Sequence, residues 1–308
     1  MKKIVVAGAG GFIGGHLVKV LIKKGHIVRA VDLKPLNEWY QVSGEADNLV
    51  LDLRLRENCY KAACMISVLI NTHLLIASKD CSLDRFFYAS SACVYNGEKQ
   101  TDPHNPGLKE SDAYPALAED GYGWEKLFSE RMCRHFREDF GLTTRVARFH
   151  NVYGPFGTFD GGREKAPAAI CRKVIEAGIT GRKEIVIWGD GLQTRSFMYI
   201  DDCIKGIQDI MYSNIEEPLN LGSSEMVSIN QLVDLVEDIA GYKLNRKYDL
   251  KAPKGVRGRN SENTLIRKYL GWEPSIPLRK GIKKTYHWIS GQVIEESRRR
   301  KGTNRFNK

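Results

Sequence analysis

The feature that most restricts the fold of this chain is a set of three glycines near its start, Gly8-x-x-Gly11-x-x-Gly14. Before them lies a short apolar run, Lys3–Ala7, and after them apolar residues recur at helical spacing over 17–22. Glycines at such a junction permit a tight turn and let the backbone approach a pyrophosphate, which amides at a helix N-terminus can bind. The pattern therefore predicts a dinucleotide site formed by Gly8, Gly11, Phe12, Ile13 and Gly14.

Two acidic residues follow the next apolar runs. The run over 27–31 ends at Asp32, where a carboxylate can bind the adenosine ribose hydroxyls and would repel a 2′-phosphate. NAD is therefore expected rather than NADP. The run over 48–53 contains Asp52, which could contact the adenine region or cap the next helix. Alternating strands and helices predict an α/β fold with a Rossmann-type, doubly wound parallel sheet.

The chain is expected to divide near residue 150. Residues 1–150 read as the NAD-binding Rossmann domain. In residues 151–308 the glycine and proline density rises and the strand–helix alternation loosens. That second part is predicted to be a smaller, mainly substrate-binding α/β region that partly returns to the first domain.

One stretch of the first domain is too short for this topology. Only about a dozen residues separate Asp52 from the helical segment over 65–78. A doubly wound sheet needs another helix, strand and loop at this point. Either the topology is unusual or a segment is absent between Asp52 and Asn71, and we favour the second interpretation.

A tyrosine and a lysine lie one turn apart in the amphipathic helix predicted for residues 119–140. Tyr122 is a poor base at neutral pH because a phenol has an ordinary pKa near 10. The Lys126 ammonium and the positive charge of a nicotinamide would stabilise its phenolate, so that it could accept a hydroxyl proton. Lys126 could also hold the nicotinamide ribose. Ser91 follows a strand predicted for 85–89, at the end where such sheets bind ligands.

Together with Ser90-Ser91 and Asn151-Val152-Tyr153-Gly154-Pro155, these motifs make the chain resemble the extended short-chain dehydrogenase/reductase family, the NAD-dependent epimerases and dehydratases. Most members act on nucleotide sugars, and the match covers nearly the whole chain. The longest matching blocks, which resemble an epimerase of the family, are residues 90–95, 108–112, 148–151, 161–167, 188–196 and 255–261. The resemblance implies an isomerase that uses NAD, acts on a nucleotide sugar and forms a homodimer through the Tyr122 helix.

The resemblance also implies a redox-neutral cycle. Tyr122 would deprotonate the sugar C4 hydroxyl while hydride passes from C4 to NAD, and the resulting ketone acidifies the hydrogens at C3 and C5. Cys93 would act as base and Lys165 as acid on opposite faces, after which C4 is reduced again. Cationic surroundings would make the Cys93 thiol a credible base. Without the resemblance, Cys93 would be interpreted as an inert core residue. Lys165 would likewise be interpreted as part of a solvent-exposed run of charged residues.

A pyrophosphate calls for paired cations. Arg257 is the first candidate, Arg195 and Lys173 are next, and the sequence does not order Arg259 against Arg257. The resemblance places these further residues in the substrate site: Ser91, Cys93, Asn151, Glu164, Lys165, Ala166, Gln193 and Ser196. His150 is left out, because a histidine in an apolar strand is more often structural than basic.

Composition and charge restrict which other kinds of function the chain could have. Seven cysteines without a C-x-x-C pair predict no metal site and reduced thiols in a cytoplasmic protein. We expect neither a signal peptide nor a membrane span. Of the net charge of +10, six charges lie in the last eleven residues, which predicts a solvated tail rather than a nucleic-acid-binding arm. A mildly basic body suits an anionic substrate.

Three other functions stay open. A 4,6-dehydratase would need an Asp-Glu pair where Ala92-Cys93 stands, and a reductase that favours NADPH conflicts with Asp32. A non-catalytic NAD-binding or RNA-associated protein could use the basic tail. The complete set of Ser91, Tyr122 and Lys126 speaks against that class.

Overall fold

A computed structural model of the protein describes residues 1–62, 68–118, 120–162, 164–253 and 255–303. The described strands are β1 (Lys3–Ala7), β2 (Ile27–Asp32), β3 (Asp47–Val50), β4 (Phe86–Ser91), β5 (Thr144–Phe149), β6 (Val152–Tyr153), β7 (Glu184–Trp188), β8 (Thr194–Ser196), β9 (Met198–Tyr199), β10 (Leu219–Leu221), β11 (Met226–Ser228), β12 (Asn245–Asp249) and β13 (Gly258–Arg259). The described helices are α1 (Phe12–Lys23), α2 (Arg56–Ala62), α3 (Val68–Asp80), α4 (Gly121–Phe140), α5 (Ala166–Thr180), α6 (Ile200–Tyr212), α7 (Ile229–Ala240), α8 (Thr264–Leu270) and α9 (Leu278–Thr303).

The N-terminal strands form a parallel sheet in the order β1-β2-β3. The glycine-rich turn joins β1 directly to α1, and α1 packs its buried Val18 and Leu21 into the cluster that contains Val6 and Val28 of this sheet. This strand–turn–helix unit confirms the arrangement predicted from the glycine spacing.

A second parallel sheet has the order β10-β5-β4. Its strand β10 comes from the C-terminal half of the chain, and Leu219 lies opposite Ala147 of β5. Residues beyond 150 therefore complete a sheet that begins in the first half.

No hydrogen-bonded ladder joins the two sheets in the described part of the chain, where β1 and β4 are edge strands. The parallel α/β arrangement agrees with the predicted Rossmann-type fold. The described residues between β3 and β4 form α2 and α3 without a strand, and residues 63–67 lie outside the described part. Ala7 of β1 and Phe86 of β4 pack against one apolar cluster, which includes Val31 and Leu74. Apolar contacts therefore link the two sheets. That a segment is absent between Asp52 and Asn71 stays a prediction.

The C-terminal part contains the largest apolar cluster. Helices α5, α7 and α9 pack together there, through buried residues such as Val174, Leu232 and Ile282. Short ladders border this core: β7 pairs with β12, β8 pairs with β11 and β13, and β6 pairs with β9. The helices described here are not long and apolar enough to cross a bilayer.

Helix α4 is fixed at both ends and along its buried face. The Asp120 carboxylate accepts a hydrogen bond from the Gly123 amide (2.8 Å), and Gly141 ends the helix in the left-handed conformation (φ 70°). Glu130, which is buried, accepts from Ser90 Oγ (2.5 Å) and forms a two-pronged ion pair with Arg148 (2.7 and 2.9 Å). One carboxylate therefore ties α4 to both β4 and β5. The predicted start at Glu119 lies outside the described residues.

Glu130→Ala should lower the free energy of unfolding by about 3–5 kcal/mol, because it leaves the Arg148 charge buried without its counter-ion. Glu138→Ala is the control, since this half-exposed carboxylate pairs with Arg134 (2.7 Å) and more distantly with Arg137 (3.8 Å) in the same helix, and its loss should cost less than about 1 kcal/mol. Urea unfolding followed by circular dichroism measures both. Equal losses would show that the buried pair does not secure α4.

Candidate active site

Cys93 is placed just beyond the carboxyl end of β4. The side-chain oxygen of Ser91 accepts a hydrogen bond from the Cys93 amide (3.2 Å), which starts a short helical turn over Ala92–Val94. Ala92 and Val94 point into the core, while Cys93 between them is partly exposed. The turn therefore presents the thiol at the edge where parallel sheets bind ligands.

The N-terminus of α4 lies against this turn. A Cβ atom on Gly123 would lie only 2.2 Å from the Cys93 carbonyl oxygen, so only glycine permits this approach. Tyr122 is half-exposed and hydrogen-bonds with Ser91. Lys126 is buried, donates from Nζ to the Ala89 carbonyl (3.0 Å), and has Nζ 5.4 Å from the centre of the Tyr122 ring. The structure brings together Ser91, Cys93, Tyr122 and Lys126.

Burial raises the pKa of the Tyr122 phenol, the Cys93 charge raises it further, and the hydrogen bond with Ser91 lowers it in part. At neutral pH, Tyr122 is therefore protonated in the protein alone. A positive charge placed beside the ring would favour the phenolate. The nicotinamide ring of NAD carries such a charge, so the site fits a base that is activated by its cofactor.

Arg259 lies next to Cys93. Its Nη1 is 3.6 Å from the Cys93 sulfur, and its Nε donates to Gln100 Oε1 (2.6 Å) in a buried position. The structure therefore places a guanidinium beside the thiol. The sequence alone did not separate Arg259 from Arg257. In the structure Arg259 lies in β13, whereas Arg257 immediately precedes that strand.

Each cation suggested for the pyrophosphate already has a partner. Arg257 Nη1 lies 2.8 Å from Asp190 Oδ1, and this contact holds the pKa of Asp190 at about 2. Arg195 donates to the carbonyls of Thr194 and Val256, and Lys173 Nζ donates to the Val186 carbonyl (2.8 Å). Strands β8 and β13 place Arg195 beside the segment that carries Arg257.

Several predicted substrate residues have buried polar atoms without a partner among the described residues. Ser196 Oγ and Gln193 Oε1 are of this kind. Asn151 (φ 43°) donates from Nδ2 to the Ser196 carbonyl (2.9 Å). Since buried polar groups are normally satisfied, such atoms suit contacts with a polar ligand.

Glu164 and Lys165 precede α5, whose first residue is Ala166. Glu164 Oε1 accepts from Arg172 Nη2 (3.1 Å), whereas Glu164 Oε2 is buried without a hydrogen-bond partner in the described part of the chain. Lys165 is exposed at the position that caps α5.

The glycine-rich turn fits a dinucleotide. A Cβ atom on Gly14 would lie 2.1 Å from the Gly8 carbonyl oxygen, and Gly8 has φ 70°. Phe12 and Ile13 open α1. Asp32 Oδ2 accepts from the Gly10 amide (3.0 Å), which places the carboxylate beside the turn.

Asp52 forms hydrogen bonds within the turn that precedes α2. Its carboxylate is bound by Arg54, which lowers the pKa of Asp52, and its carbonyl accepts from Asn58 Nδ2 (2.8 Å). This arrangement favours the capping alternative over an adenine contact.

The described residues form no metal site, and His150 is a structural residue. No group of three or more His, Cys, Asp or Glu able to hold a metal occurs in the part of the chain that the structure describes. The described cysteines are free. His150 is fully buried, and its Nε2 lies 2.9 Å from Asn220 Oδ1. Burial lowers the pKa of His150 to about 3, so the ring is neutral and structural.

His150 gives a pH dependence of stability. Its pKa is lowered in the folded state, so the unfolded chain binds the extra proton as the pH falls below about 6.5. The free energy of unfolding should fall by up to about 1.4 kcal/mol per pH unit from this group, down to about pH 3. Urea unfolding between pH 7 and pH 5 measures the slope.

His150→Gln should flatten that slope. The exposed His104→Gln should keep the wild-type slope, because water solvates that ring in the folded and the unfolded chain alike. Identical slopes in all three proteins would contradict a neutral, buried His150.

Comparison with known proteins identifies the family. The family model for the NAD dependent epimerase/dehydratase family matches residues 56–222. GDP-mannose 3,5-epimerase of Arabidopsis thaliana is 42% identical over 321 residues, which cover 96% of this chain and 84% of the relative. GDP-mannose 3,5-epimerase 1 of Oryza sativa subsp. indica is 41% identical, with 96% and 83% covered.

Solved structures show the same fold. A UDP-glucose 4-epimerase of Thermotoga maritima with UDP-glucose superposes with a TM-score of 0.81 at 23% identity, over 95% of this chain and all of that one. A UDP-glucose 4-epimerase of Thermus thermophilus in complex with NAD gives 0.78 at 20% identity, over 94% of this chain and 99% of that one. Both likenesses support the Rossmann-type fold.

Proposed function

Because the chain belongs to the NAD-dependent epimerase/dehydratase family, we propose that it epimerises GDP-mannose at C3 and C5, to GDP-L-galactose or GDP-L-gulose. The observation that carries the proposal is the convergence of Cys93 with Ser91, Tyr122 and Lys126 at the end of β4. The identity to GDP-mannose 3,5-epimerases over most of the chain supports this substrate.

Tyr122 and its neighbours perform the first proton transfer. Tyr122 accepts the proton of the sugar C4 hydroxyl, Ser91 orients that hydroxyl, and Lys126 favours the phenolate. NAD, when bound at the glycine-rich turn and Asp32, supplies the reversible oxidation at C4. The cycle therefore needs no added oxidant.

Cys93 and Lys165 perform the inversion. A C4 ketone acidifies the hydrogens at C3 and C5, and Cys93, which lies beside Arg259, acts as the base that removes one of them. Lys165 returns a proton to the opposite face, since inversion requires two groups on opposite faces of the carbon. Arg257, Arg195 and Lys173 would hold the diphosphate, exchanging their present partners for its oxygens.

A 4,6-dehydratase is not favoured, because Ala92 and Cys93 occupy the positions of its acid–base pair. We also propose a cytoplasmic location, which the free thiols of the described cysteines support.

Incubation with GDP-mannose in deuterated water, without added cofactor, should place deuterium at C3 and C5 with no net cofactor reduction. Cys93→Ser should lower that exchange by at least about 100-fold, because it removes the base. Nuclear magnetic resonance of the sugar measures the exchange, and release of NAD from denatured protein measures cofactor content.

Cys81→Ser is the matched control, since that cysteine is exposed on the surface after α3. It should exchange as the wild type does. Absence of exchange in the wild type with this substrate, in protein that contains NAD, would refute the proposed reaction. Unchanged exchange in Cys93→Ser would refute the role of the thiol.

We further propose a homodimer that uses the outer face of α4. Trp124 and Phe128 lie one turn apart on that face, and each is nearly half exposed. Neighbouring exposed aromatic side chains of this size are typical of contact surfaces.

Phe128→Glu should convert a dimer to a monomer, because a carboxylate would be buried in the contact. Tyr269→Glu is the control, because its ring is equally exposed but lies on α8. Sedimentation equilibrium gives the mass of each variant. A wild-type monomer, or a dimer that survives Phe128→Glu, would contradict this surface.

A further inference from the structure

One guanidinium fastens the loop that leads to Lys165. Arg172 lies almost two turns into α5, and its side chain is only 17% exposed. Its Nε donates to the Phe159 carbonyl (2.9 Å) and its Nη2 to Glu164 Oε1 (3.1 Å). Its Nη1 donates to Glu176 Oε1 (3.0 Å), and Asp160 Oδ1 lies 3.5 Å from Nε.

These contacts join both ends of the loop over 159–164 to the same side chain. Between the ends, Gly161 and Gly162 have φ values of 93° and 81°, which glycine adopts readily. Glycines give the unfolded or detached loop many conformations. The positions of Phe159 and Glu164 relative to α5 therefore depend on their contacts with Arg172.

The same contacts orient Glu164. Arg172 holds Oε1, so Oε2 is directed elsewhere, buried and without a hydrogen-bond partner among the described residues. The Glu164 side chain is only 9% exposed. A buried carboxyl oxygen of this kind is an acceptor for a ligand hydroxyl.

Lys165 is the next residue along the chain. Its carbonyl accepts the Ala169 amide (3.0 Å), so α5 fixes its backbone on one side and Glu164 fixes it on the other. The backbone position from which the Lys165 side chain extends therefore depends on Glu164 staying in place. In contrast, Tyr122 and Lys126 lie on α4, which Arg172 does not touch.

We propose that Arg172 is a positioning residue for the proton-transfer half of the reaction, acting through Glu164 and Lys165. The inference rests on the proposed function. Arg172 holds the loop so that one Glu164 oxygen meets the substrate and Lys165 can return its proton. Oxidation at C4 by the α4 residues does not depend on it.

The test separates the two half-reactions in Arg172→Ala. Deuterium incorporation at C3 and C5 should fall by at least about 10-fold, because the proton donor is misplaced. The absorbance of reduced cofactor on addition of GDP-mannose should persist or increase, because C4 oxidation continues while re-reduction of the correct epimer is delayed. Arg172→Lys should recover only part of the exchange, since an ammonium cannot bridge the same partners.

Arg182→Ala is the matched control. Arg182 also approaches Glu176 (3.6 Å) but is exposed and makes no contact with the loop over 159–164. It should exchange as the wild type does. Glu164→Gln combined with Arg172→Ala should be no slower than the slower single variant, since both act through one group.

The outcomes are distinguishable. If the wild type shows no exchange, the proposed function fails. If the wild type exchanges and Arg172→Ala exchanges equally well, the positioning role alone is overturned. Equal losses of C4 oxidation and of exchange would also overturn it, because they would indicate general damage to the site.

Discussion

The contact between α4 and the end of β4 is the one on which the rest of the site depends. Gly123 allows the backbone of α4 to approach the Cys93 carbonyl. Further along α4, Glu130 bonds to Ser90 of β4 and to Arg148 of β5. Together they fix the height and rotation of α4 relative to the sheet. The phenol of Tyr122 reaches Ser91 as a consequence of this backbone packing, which is stiffer than any single side-chain contact.

The two halves of the cofactor site are carried by different sheets. The glycine-rich turn and Asp32 follow β1 and β2, whereas Tyr122 and Lys126 lie against β4. Apolar contacts link these sheets, and such contacts are less directional than a hydrogen-bond ladder. The alignment with the Arabidopsis enzyme runs over 321 residues although this chain has 308, so that relative contains residues that this chain lacks. A strand between β1 and β4 would fix the distance between the halves.

Local sequence was sufficient for the parts of the site that depend on backbone conformation. The spacing of Gly8, Gly11 and Gly14 predicts the turn because close backbone approach leaves no alternative to glycine. The i, i+4 spacing of Tyr122 and Lys126 places both on one helical face. The short connection after Asp52 was evident from counting residues, and the sequence alone favoured an absent segment over an unusual topology.

Sequence was insufficient where function depends on long-range charge pairing. Arg257 and Arg259 are equivalent by type and spacing, yet Arg257 contacts Asp190 and Arg259 contacts Cys93. The Arg259 pairing follows from how β13 meets residues 92–100, and the Arg257 pairing from the turn between β7 and β8. No local sequence pattern encodes either contact. Exposure to solvent decides which ion pairs can exchange partners. The Arg257–Asp190 pair is about one-third exposed, and such pairs contribute at most about 1 kcal/mol to the free energy of unfolding. Exchanging Asp190 for another anion on Arg257 would therefore cost little free energy. The Arg148–Glu130 pair, in contrast, is almost fully buried. Separating its members would leave an uncompensated charge in the protein interior, so this pair must stay intact throughout the reaction.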